Sequence, residues 1–324
     1  MSETVVVTGA SGHVGAALVR ALLAERATVR ALVRSDVRAL EGLDVERIKV
    51  DVTDRGAVMD ALRGAEVVYH AAARVTLESE HDPAAERTNI EGTRNVLEGC
   101  RAHGVRRLVH FSTVHVLGDG AELVAEHPGA PYERSKAGAE REVQRAVKEG
   151  LDAVVVSPCA VIGPYDHKPS HMGKVLLMLA KGWLPATVAG GQSWVDVRDI
   201  AASSIAAAKK GEKGARYLLA GHWLPMREFA TLASRAARVS PPRFSVPISL
   251  AKRFAPLAER ASRWLGQEPL FTRASMDSLE SRPRTPCERA AAVLGHAPRA
   301  TEATLEDTFR WFEDAGVLKA RRPS

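Results

Sequence analysis

Short runs of apolar residues alternate along the chain with longer segments in which apolar residues recur every three or four positions. In the first half this pattern predicts strands at residues 4–10, 28–35, 45–54, 66–73, 106–114 and 152–163. Helices are predicted between them at residues 13–25, 56–65, 89–104 and 131–150. Because the strands are apolar on both faces and are separated by helices, they should pair in parallel through right-handed crossovers. The pattern therefore predicts an α/β fold with a doubly wound parallel sheet.

Three glycines follow the first predicted strand, in the segment TGASGHVG, at Gly9, Gly12 and Gly15. Glycines at such a junction permit a tight turn, let the backbone approach a pyrophosphate and allow close helix packing. The start of the next helix presents free N–H groups to an anion. The alternative is a glycine-rich turn without a ligand. Since a strand precedes the motif and a helix follows it, dinucleotide binding is favoured.

The residues after the second strand indicate which dinucleotide is bound. An enzyme that prefers NAD usually places an acid there for the ribose 2′-hydroxyl, whereas an arginine can accept the 2′-phosphate of NADP. The chain has Val33, Arg34 and Ser35, with Arg38 one turn later. The alternative is an exposed arginine at the end of a strand. We therefore expect NADP(H) as the cofactor, with NAD(H) as the alternative.

The segment PYERSK places Tyr132 and Lys136 four positions apart at the start of a predicted helix. Reduction of a carbonyl by hydride develops negative charge on oxygen, which must be held and protonated. The spacing puts both side chains on one helix face, and the ammonium should stabilise the phenolate and lower the pKa of the tyrosine. Such a pair also arises by chance, so its meaning depends on the rest of the sequence.

The chain resembles the extended short-chain dehydrogenase/reductase superfamily along almost its whole length. The segments TGASGHVG, DVTD, YHAAA, NIEGTRNVL, FSTVHVLG, PYERSK and SPCAVIGP carry the resemblance and occur in the family's order. The chain is most similar to the dihydroflavonol-reductase-like branch, which also contains bacterial proteins named as sugar epimerases. The resemblance implies a Rossmann-type sheet with a smaller, mostly helical C-terminal substrate domain. Residues 1–164 with about 189–220 would bind the dinucleotide, and residues 165–188 and 221–324 would bind the substrate.

The resemblance also implies the residues of the site. Tyr132 would be the catalytic acid, Lys136 its partner and Thr113 the hydroxyl that orients the carbonyl, with Ser112 as the near alternative. The residues implied to contact the cofactor are Gly9, Ser11, Gly12, His13, Val14, Gly15, Arg34, Ser35, Asp51, Val52, Ala71, Ala72, Ala73, Asn89, Ser112, Tyr132, Lys136, Pro158, Ala160 and Val161. Those implied to contact the substrate are Val75, Thr113, Val114, His115, Tyr132, Cys159 and Trp194. Asn89 would steady the strand beside the nicotinamide or cap a helix, and His115 could relay a proton or be a partly buried structural histidine.

The same groups can run a simple reduction or a transient oxidation followed by return of the hydride, as in epimerases. Sugar-nucleotide epimerases of the family usually carry an arginine and a histidine in the segment that here reads GGQSWVDVRDIA. This chain has Gln192 and Asp196 at those positions, and Ser157 where arginine or asparagine is common. We therefore expect reduction of a small hydrophobic ketone or aldehyde, or the reverse reaction. The alternatives are a nucleotide-sugar epimerase or dehydratase with tightly bound NAD, and a cofactor-sensing regulatory protein without activity.

Composition and charge exclude several other classes of protein. The 324 residues, 45% hydrophobic and 26% charged, are typical of a globular protein with a large domain and a smaller one. The net charge is +6, but the chain has no basic stripe interleaved with stacking aromatics, so we expect no nucleic-acid partner. Cys100, Cys159 and Cys287 lie far apart without a C-x-x-C pair, which suggests neither a disulfide framework nor a zinc site.

Two further segments allow other functions. His167 and His171 have the spacing of metal ligands on a helix, but Pro169 lies between them and we expect no metal. The segment 247–266 is amphipathic and basic, and a lid over the substrate is preferred to an interfacial membrane helix. No apolar run approaches the roughly 20 residues of a membrane span, and the chain enters a strand without a basic and apolar leader. We expect a cytoplasmic protein without stable membrane insertion, and the resemblance implies a homodimer through the Tyr–Lys helix and the helix before it.

Overall fold

A computed structural model describes residues 3–76, 82–118, 123–124, 130–264, 270–280 and 285–319. Strands and helices alternate through the first half of the chain, as the sequence pattern predicts. These elements are β1 (Thr4–Thr8), α1 (His13–Ala24), β2 (Thr28–Val33), β3 (Glu46–Lys49), α2 (Arg55–Ala61), β4 (Val67–His70), α3 (Pro83–Glu86), a π-helical turn (Arg87–Glu91), α4 (Gly92–Ala102), β5 (Arg107–Phe111), α5 (Pro131–Lys148) and β6 (Ala153–Pro158).

The second half adds shorter strands and most of the remaining helices. They are β7 (Ala160–Ile162), α6 (His171–Ala180), β8 (Ala186–Val188), β9 (Gly191–Asp196), α7 (Val197–Lys210), β10 (Arg216–Leu219), β11 (His222–Pro225), α8 (Met226–Ala236), β12 (Phe244–Val246), α9 (Ile248–Trp264), α10 (Arg273–Leu279), α11 (Glu288–Leu294) and α12 (Thr301–Asp314). Among the helices in the described part of the chain, none has the length and apolar character to cross a bilayer.

The central sheet has the strand order β10-β6-β5-β4-β1-β2-β3, and every neighbouring pair in it is parallel. The order reverses beside β1, where β2 and β3 lie on one side and β4, β5 and β6 on the other. Apolar side chains cover both faces, against α1, α7 and α11 on one side and α2, α4 and α5 on the other. The predicted Rossmann-type doubly wound sheet is confirmed. Ligands of such sheets bind beyond the carboxyl ends of the strands, at the point of reversal.

A smaller group of elements stands beyond the carboxyl ends of the central strands. β9 pairs with β7 in parallel and with β11 in antiparallel fashion, while β8 pairs with β12. A separate apolar core joins β7, β9 and β11 to α6, α8 and α12, with Trp194, Phe229 and Phe312 among its largest buried side chains.

Two predicted strands differ from the observed ones. The strand predicted at residues 45–54 ends at Lys49, because Asp51 turns the chain by accepting hydrogen bonds from both the backbone N–H and the hydroxyl of Thr53. The apolar run 152–163 is two strands rather than one. β6 belongs to the central sheet, whereas β7 leaves it after Cys159 to pair with β9. Hydrophobic periodicity could not reveal this change of sheet, because both strands are apolar.

Candidate active site

The turn between β1 and α1 is a close backbone approach that favours glycine. Gly9 has φ of +67°, and a Cβ on it would lie 2.7 Å from the backbone nitrogen of Ala72. A Cβ on Gly15 would lie 2.1 Å from the carbonyl oxygen of Gly9. Gly12 occupies the N-cap of α1, where no described side chain accepts from the first N–H groups of the helix. The turn therefore leaves the N-terminus of α1 open to an anion.

A cavity of about 350 Å³ lies beside this turn, at the carboxyl ends of β1, β2 and β4. We call it the dinucleotide cavity. Many of the residues implied to contact the cofactor line it: Gly9, Ser11, Gly12, Arg34, Ser35, Asp51, Val52, Ala71, Ala72 and Ala73. The hydrogen bonds from Thr53 hold the pKa of Asp51 below its ordinary value, so this carboxylate stays ionised. The cavity has the position and lining of a nucleotide site.

Sequence reasoning missed two charged residues of this cavity, Asp36 and Lys168. Asp36 follows the end of β2 by three positions. Its carboxylate is engaged by Arg38, with Nη2 of the arginine 2.6 Å from Oδ2, and this hydrogen bond lowers the pKa of Asp36 to about 2. Lys168 arrives from a distant loop, which no local pattern in the sequence could indicate.

Several other residues that the resemblance implies to contact the cofactor make structural contacts around the cavity. His13 Nε2 lies 3.1 Å from the carbonyl oxygen of Gly163 and 3.0 Å from that of Pro164, and it ties the start of α1 to the end of β7. Val14 packs against the core on the same helix, and Pro158 ends β6. Ala160 and Val161 lie in β7, paired with Trp194 and Val195 of β9.

Asn89 fixes the segment that follows β4. Its Oδ1 accepts a hydrogen bond of 2.8 Å from the backbone nitrogen of Arg74, and its Nδ2 donates to the carbonyl oxygen of Arg74 and to the hydroxyl of Ser135. The helix-cap alternative was wrong, since Asn89 lies inside the π-helical turn and the cap of α3 is Asp82. Asn89 therefore joins the wall of the dinucleotide cavity to α5.

Tyr132 and Lys136 lie in the first two turns of α5. Glu133 fixes this helix start by accepting a hydrogen bond from the backbone nitrogen of Ala130 at 3.0 Å. Burial raises the pKa of Tyr132 to about 12 and lowers that of Lys136 to about 8. The expected lowering of the tyrosine pKa by the lysine is therefore wrong for the protein without ligands. Lys136 Nζ instead donates to the carbonyl oxygen of Phe111 at 2.5 Å.

Thr113 and Ser112 follow β5 directly and differ in their hydrogen bonds. Ser112 donates to Oε2 of Glu140 at 2.5 Å, and Glu140 also forms a buried ion pair with Arg216, whose Nε is 2.7 Å from Oε1. The hydroxyl of Thr113, almost fully buried, accepts a weak hydrogen bond of 3.3 Å from the backbone nitrogen of His115. The Ser112 hydroxyl is thus committed to an ion pair, and that of Thr113 keeps its own proton for another acceptor.

A second cavity, of about 270 Å³, contains Tyr132 in its wall. We call it the substrate cavity. Val75, His115, Tyr132 and Trp194 of the implied substrate residues line it, together with apolar side chains of α6, α8 and α10. Val114 packs against the core of the central sheet, and Cys159 lies elsewhere, with its Sγ 3.6 Å from Oγ1 of Thr285. Val75 lines both cavities, so they meet at this residue.

The segment around Trp194 divides between the substrate cavity and a structural ion-pair network. Trp194 stacks on Phe229 with ring centroids 3.7 Å apart, and Gln192 lines the cavity beside them. Asp196 caps α7 and binds Arg198, whose Nη2 is 2.7 Å from Oδ2 of the aspartate. Asp196, which stands where the resemblance implies a histidine in sugar-nucleotide epimerases, is thus bound to Arg198.

Two buried histidines at the ends of β4 and β5 were not predicted. His70 joins Thr8 to Thr93 through its two ring nitrogens at 2.8 and 2.9 Å, and Thr8 in turn accepts from the backbone nitrogen of Ala72. Burial lowers the pKa of His70 to about 3, so it stays neutral. His110 lies 5.4 Å from it, and burial lowers its pKa as well. Both fall inside apolar strand patterns, where a histidine gives no separate signal.

Within the described ranges, no three acidic, histidine or cysteine side chains are grouped as metal ligands would be. The two histidines considered for metal binding point to different surroundings. His167 packs against Trp311 with ring centroids 4.8 Å apart, whereas His171 begins α6 after its cap, Ser170, and lines the substrate cavity. Pro169 precedes this cap and keeps the pair off one continuous helix.

Known proteins resemble this chain over nearly its full length. The model of the NAD dependent epimerase/dehydratase family matches residues 5–220. Sterol demethylase protein B of Methylococcus capsulatus is 37% identical over 97% of this chain and 100% of its own length. A putative dihydroflavonol 4-reductase of Synechocystis is 30% identical over 99% of this chain and 98% of its own. The crystal structure of gox2253 is 31% identical and covers 98% of this chain and 100% of its own, with a TM-score of 0.84. The chain therefore belongs to the NAD-dependent epimerase/dehydratase family, within the extended short-chain dehydrogenase/reductase superfamily of NAD(P)-dependent enzymes.

Proposed function

We propose that the protein is an NADP(H)-dependent oxidoreductase that reduces a ketone or aldehyde to an alcohol, or catalyses the reverse. The observation that carries this proposal is the meeting of the two cavities at Val75, with Tyr132 in the wall of the substrate cavity. A nucleotide beside the glycine turn would extend toward that junction. In the proposed division of the chain, residues 1–164 with 189–220 hold the dinucleotide, and 165–188 with 221–324 hold the substrate.

The proposed roles follow from protonation. Bound NADPH would supply the hydride. With a pKa of about 12, Tyr132 keeps its proton at neutral pH and can give it to the alkoxide as negative charge develops. Lys136 is largely an ammonium below about pH 8 and places positive charge one helical turn from the tyrosine. The Thr113 hydroxyl can donate to the same carbonyl oxygen.

The preference for NADP(H) is supported by the charges around the end of β2. Arg34 and Lys168 both line the dinucleotide cavity, where a 2′-phosphate would bring two negative charges. The carboxylate of Asp36, which could otherwise accept from a 2′-hydroxyl, is bound to Arg38. An NAD-dependent enzyme would need that carboxylate released.

The walls of the substrate cavity favour a hydrophobic carbonyl compound. Most of them are aliphatic or aromatic, and Trp194 and Phe229 form one side. Asp196 and Arg198, which bind each other, leave less charge for a nucleotide diphosphate. Several relatives are named as reductases, among them the Synechocystis protein, in agreement with the proposal. A nucleotide-sugar epimerase or dehydratase with tightly held NAD is the alternative.

Absorbance of NADPH, followed with a panel of ketones and aldehydes, tests the reaction type. We expect stoichiometric loss of NADPH, and a fall in kcat of at least about a hundredfold in Tyr132→Phe, since this change removes the proton donor. Tyr165→Phe is the matched control, because it removes a hydroxyl outside both cavities. Turnover without added NADPH, together with NAD retained through purification, would support the epimerase instead.

Cofactor preference is tested separately by calorimetric titration with NADPH and NADH. Arg34→Ala should weaken NADPH binding by about tenfold or more and leave NADH binding nearly unchanged, since only NADPH carries the phosphate. Arg63→Ala is the control, because this exposed arginine lies just after the end of α2. Equal affinities for the two nucleotides in the unaltered protein would refute the preference.

A further inference from the structure

The inner face of α9 carries charged side chains. Lys252 Nζ lies 2.6 Å from both Asp277 Oδ1 and Glu280 Oε2, which tie the helix to α10. Glu259, only 8% exposed, accepts a hydrogen bond from the backbone nitrogen of Arg273. This face is already satisfied by ion pairs and hydrogen bonds within the protein. An amphipathic helix at the surface of a globular protein normally turns its large apolar side chains inward, whereas the inner face of α9, among the side chains that the structure describes, buries only the small Ala255 beside these charged groups.

The outer face of α9 carries large apolar side chains in solvent. Phe254 is 56% exposed, Leu257 67% and Trp264 88%, and Leu250 lies on the same side. Their spacings of four, three and seven positions place them on one stripe along the helix. A contiguous stripe of this kind, unlike scattered exposed residues, marks an interaction surface.

Two arginines border the apolar stripe. Arg253 and Arg260 are exposed and, at seven positions apart, lie on the same flank of the helix. The single acid in the sequence of α9, Glu259, is turned inward. We define the α9 outer face as Leu250, Arg253, Phe254, Leu257, Arg260 and Trp264. It combines large apolar side chains with two arginines for which no ion pair is seen among the residues that the structure describes, the pattern of a helix that lies in the headgroup region of a bilayer.

Further exposed apolar residues lie in or beside the wall of the substrate cavity. Phe271, which follows α9, is exposed at its outer edge and also lines the cavity. Exposed Phe244 of β12 is paired with Ala186 of β8, another cavity residue. The exposed Trp183 directly precedes Leu184, which lines the cavity as well. These exposed apolar residues are thus part of the cavity wall, paired with it or next to it in sequence.

We propose that the α9 outer face docks on a bilayer that contains anionic lipids, with the substrate cavity turned toward the membrane. Lipid phosphates would pair with Arg253 and Arg260, while Phe254, Leu257 and Trp264 enter the boundary with the acyl chains. A second copy of the chain fits this face less well, because arginines would meet arginines where no acid is exposed on the helix. The carbonyl substrate would then be a compound dissolved in the bilayer, an extension that rests on the proposed function.

Sedimentation with vesicles tests the docking without substrate or cofactor, so its failure would leave the proposed reaction standing. The unaltered protein should sediment with phosphatidylcholine vesicles that contain about one third phosphatidylglycerol, and much less with phosphatidylcholine alone. The double change Leu257→Ser and Trp264→Ser should lower vesicle affinity by at least about tenfold, since both side chains lose their burial in lipid. Thermal midpoint and NADPH affinity should not change, because both side chains are exposed.

The charge contribution has its own variants. The double change Arg253→Gln and Arg260→Gln should lower affinity for the anionic vesicles by about tenfold or more. The control double change Lys148→Gln and Lys210→Gln removes the same amount of charge from the ends of α5 and α7. It should change the affinity for the anionic vesicles by about twofold at most. Equal losses in the two double variants would overturn the specific role of the arginines. Absence of sedimentation, or a concentration-dependent dimer that the Leu257 and Trp264 changes dissociate, would overturn the docking.

Discussion

Replacement of Lys136 by methionine should stabilise the fold while it abolishes turnover. Burial lowers the pKa of Lys136 from 10.5 to about 8. Each pKa unit corresponds to about 1.4 kcal/mol, so keeping this ammonium charged at neutral pH costs the folded protein about 3 kcal/mol. Methionine removes that cost and fills a similar volume, although it also removes the hydrogen bond to Phe111, worth about 1 kcal/mol. We expect Lys136→Met to be more stable by about 2 kcal/mol near neutral pH.

The difference in the free energy of unfolding between Lys136→Met and the unaltered protein should become smaller as the pH rises. Unfolded Lys136 holds its proton to about pH 10.5 and the folded form only to about pH 8, so between these values the unfolded state binds more protons. The stability of the unaltered protein therefore rises through this window relative to the variant. Between about pH 7 and pH 9 the difference should narrow by roughly 1.4 kcal/mol.

Urea denaturation of both proteins at several pH values in this window measures the effect, and subtraction cancels the titration of other groups. Lys148→Met, at the exposed end of the same helix, should change stability by less than about 0.5 kcal/mol. A variant less stable than the unaltered protein at neutral pH, or a difference that does not vary with pH, would refute the reasoning. The same pKa predicts that kcat/KM for carbonyl reduction declines above about pH 8, as Lys136 loses its charge.

Three further changes test the surroundings of the site. Gly15→Ala should weaken NADPH binding by at least about tenfold by calorimetry, because its Cβ would collide with a backbone oxygen of the glycine turn. Glu140→Gln should lower the free energy of unfolding by about 3 kcal/mol, since it breaks a buried ion pair, whereas Glu149→Gln at the C-cap of the same helix should cost under about 1 kcal/mol; equal losses would contradict this assignment. Asp196→Asn should cost about 2 kcal/mol in urea denaturation, because it weakens both the cap of α7 and the contact with Arg198, and an unchanged midpoint would show that neither matters.

The central sheet and its nucleotide turn were predictable because their signals are local. Buried parallel strands appear in the sequence as apolar runs. Gly9, Gly12 and Gly15 are required by the geometry of a single turn. The change of sheet after Cys159 was not predictable, because pairing between β7 and β9 joins residues more than thirty positions apart. A sequence pattern specifies a strand without specifying its partner.

The residues around the site also divide into those with a local signal in the sequence and those brought together only by the fold. Tyr132 and Lys136 were predictable because their spacing of four positions places them on one face of a helix. Lys168 reaches the dinucleotide cavity from a separate loop. Glu140 of α5 pairs with Arg216 of β10, which lies 76 positions later in the sequence. The error about the pKa of Tyr132 has a physical cause too, since the sequence shows the nearby lysine but not the burial, and burial dominates.

The stacking of Trp194 on Phe229 gives the protein an internal optical reporter. This indole is 2% exposed and forms part of the substrate cavity, so its emission should be shifted to the blue and shielded from aqueous quenchers. Trp264 is 88% exposed and should emit at the red edge of the spectrum. With the other three tryptophans of the chain replaced, occupation of the cavity and burial of the α9 outer face would change different parts of the intrinsic fluorescence, and one spectrum could follow both events without any added label.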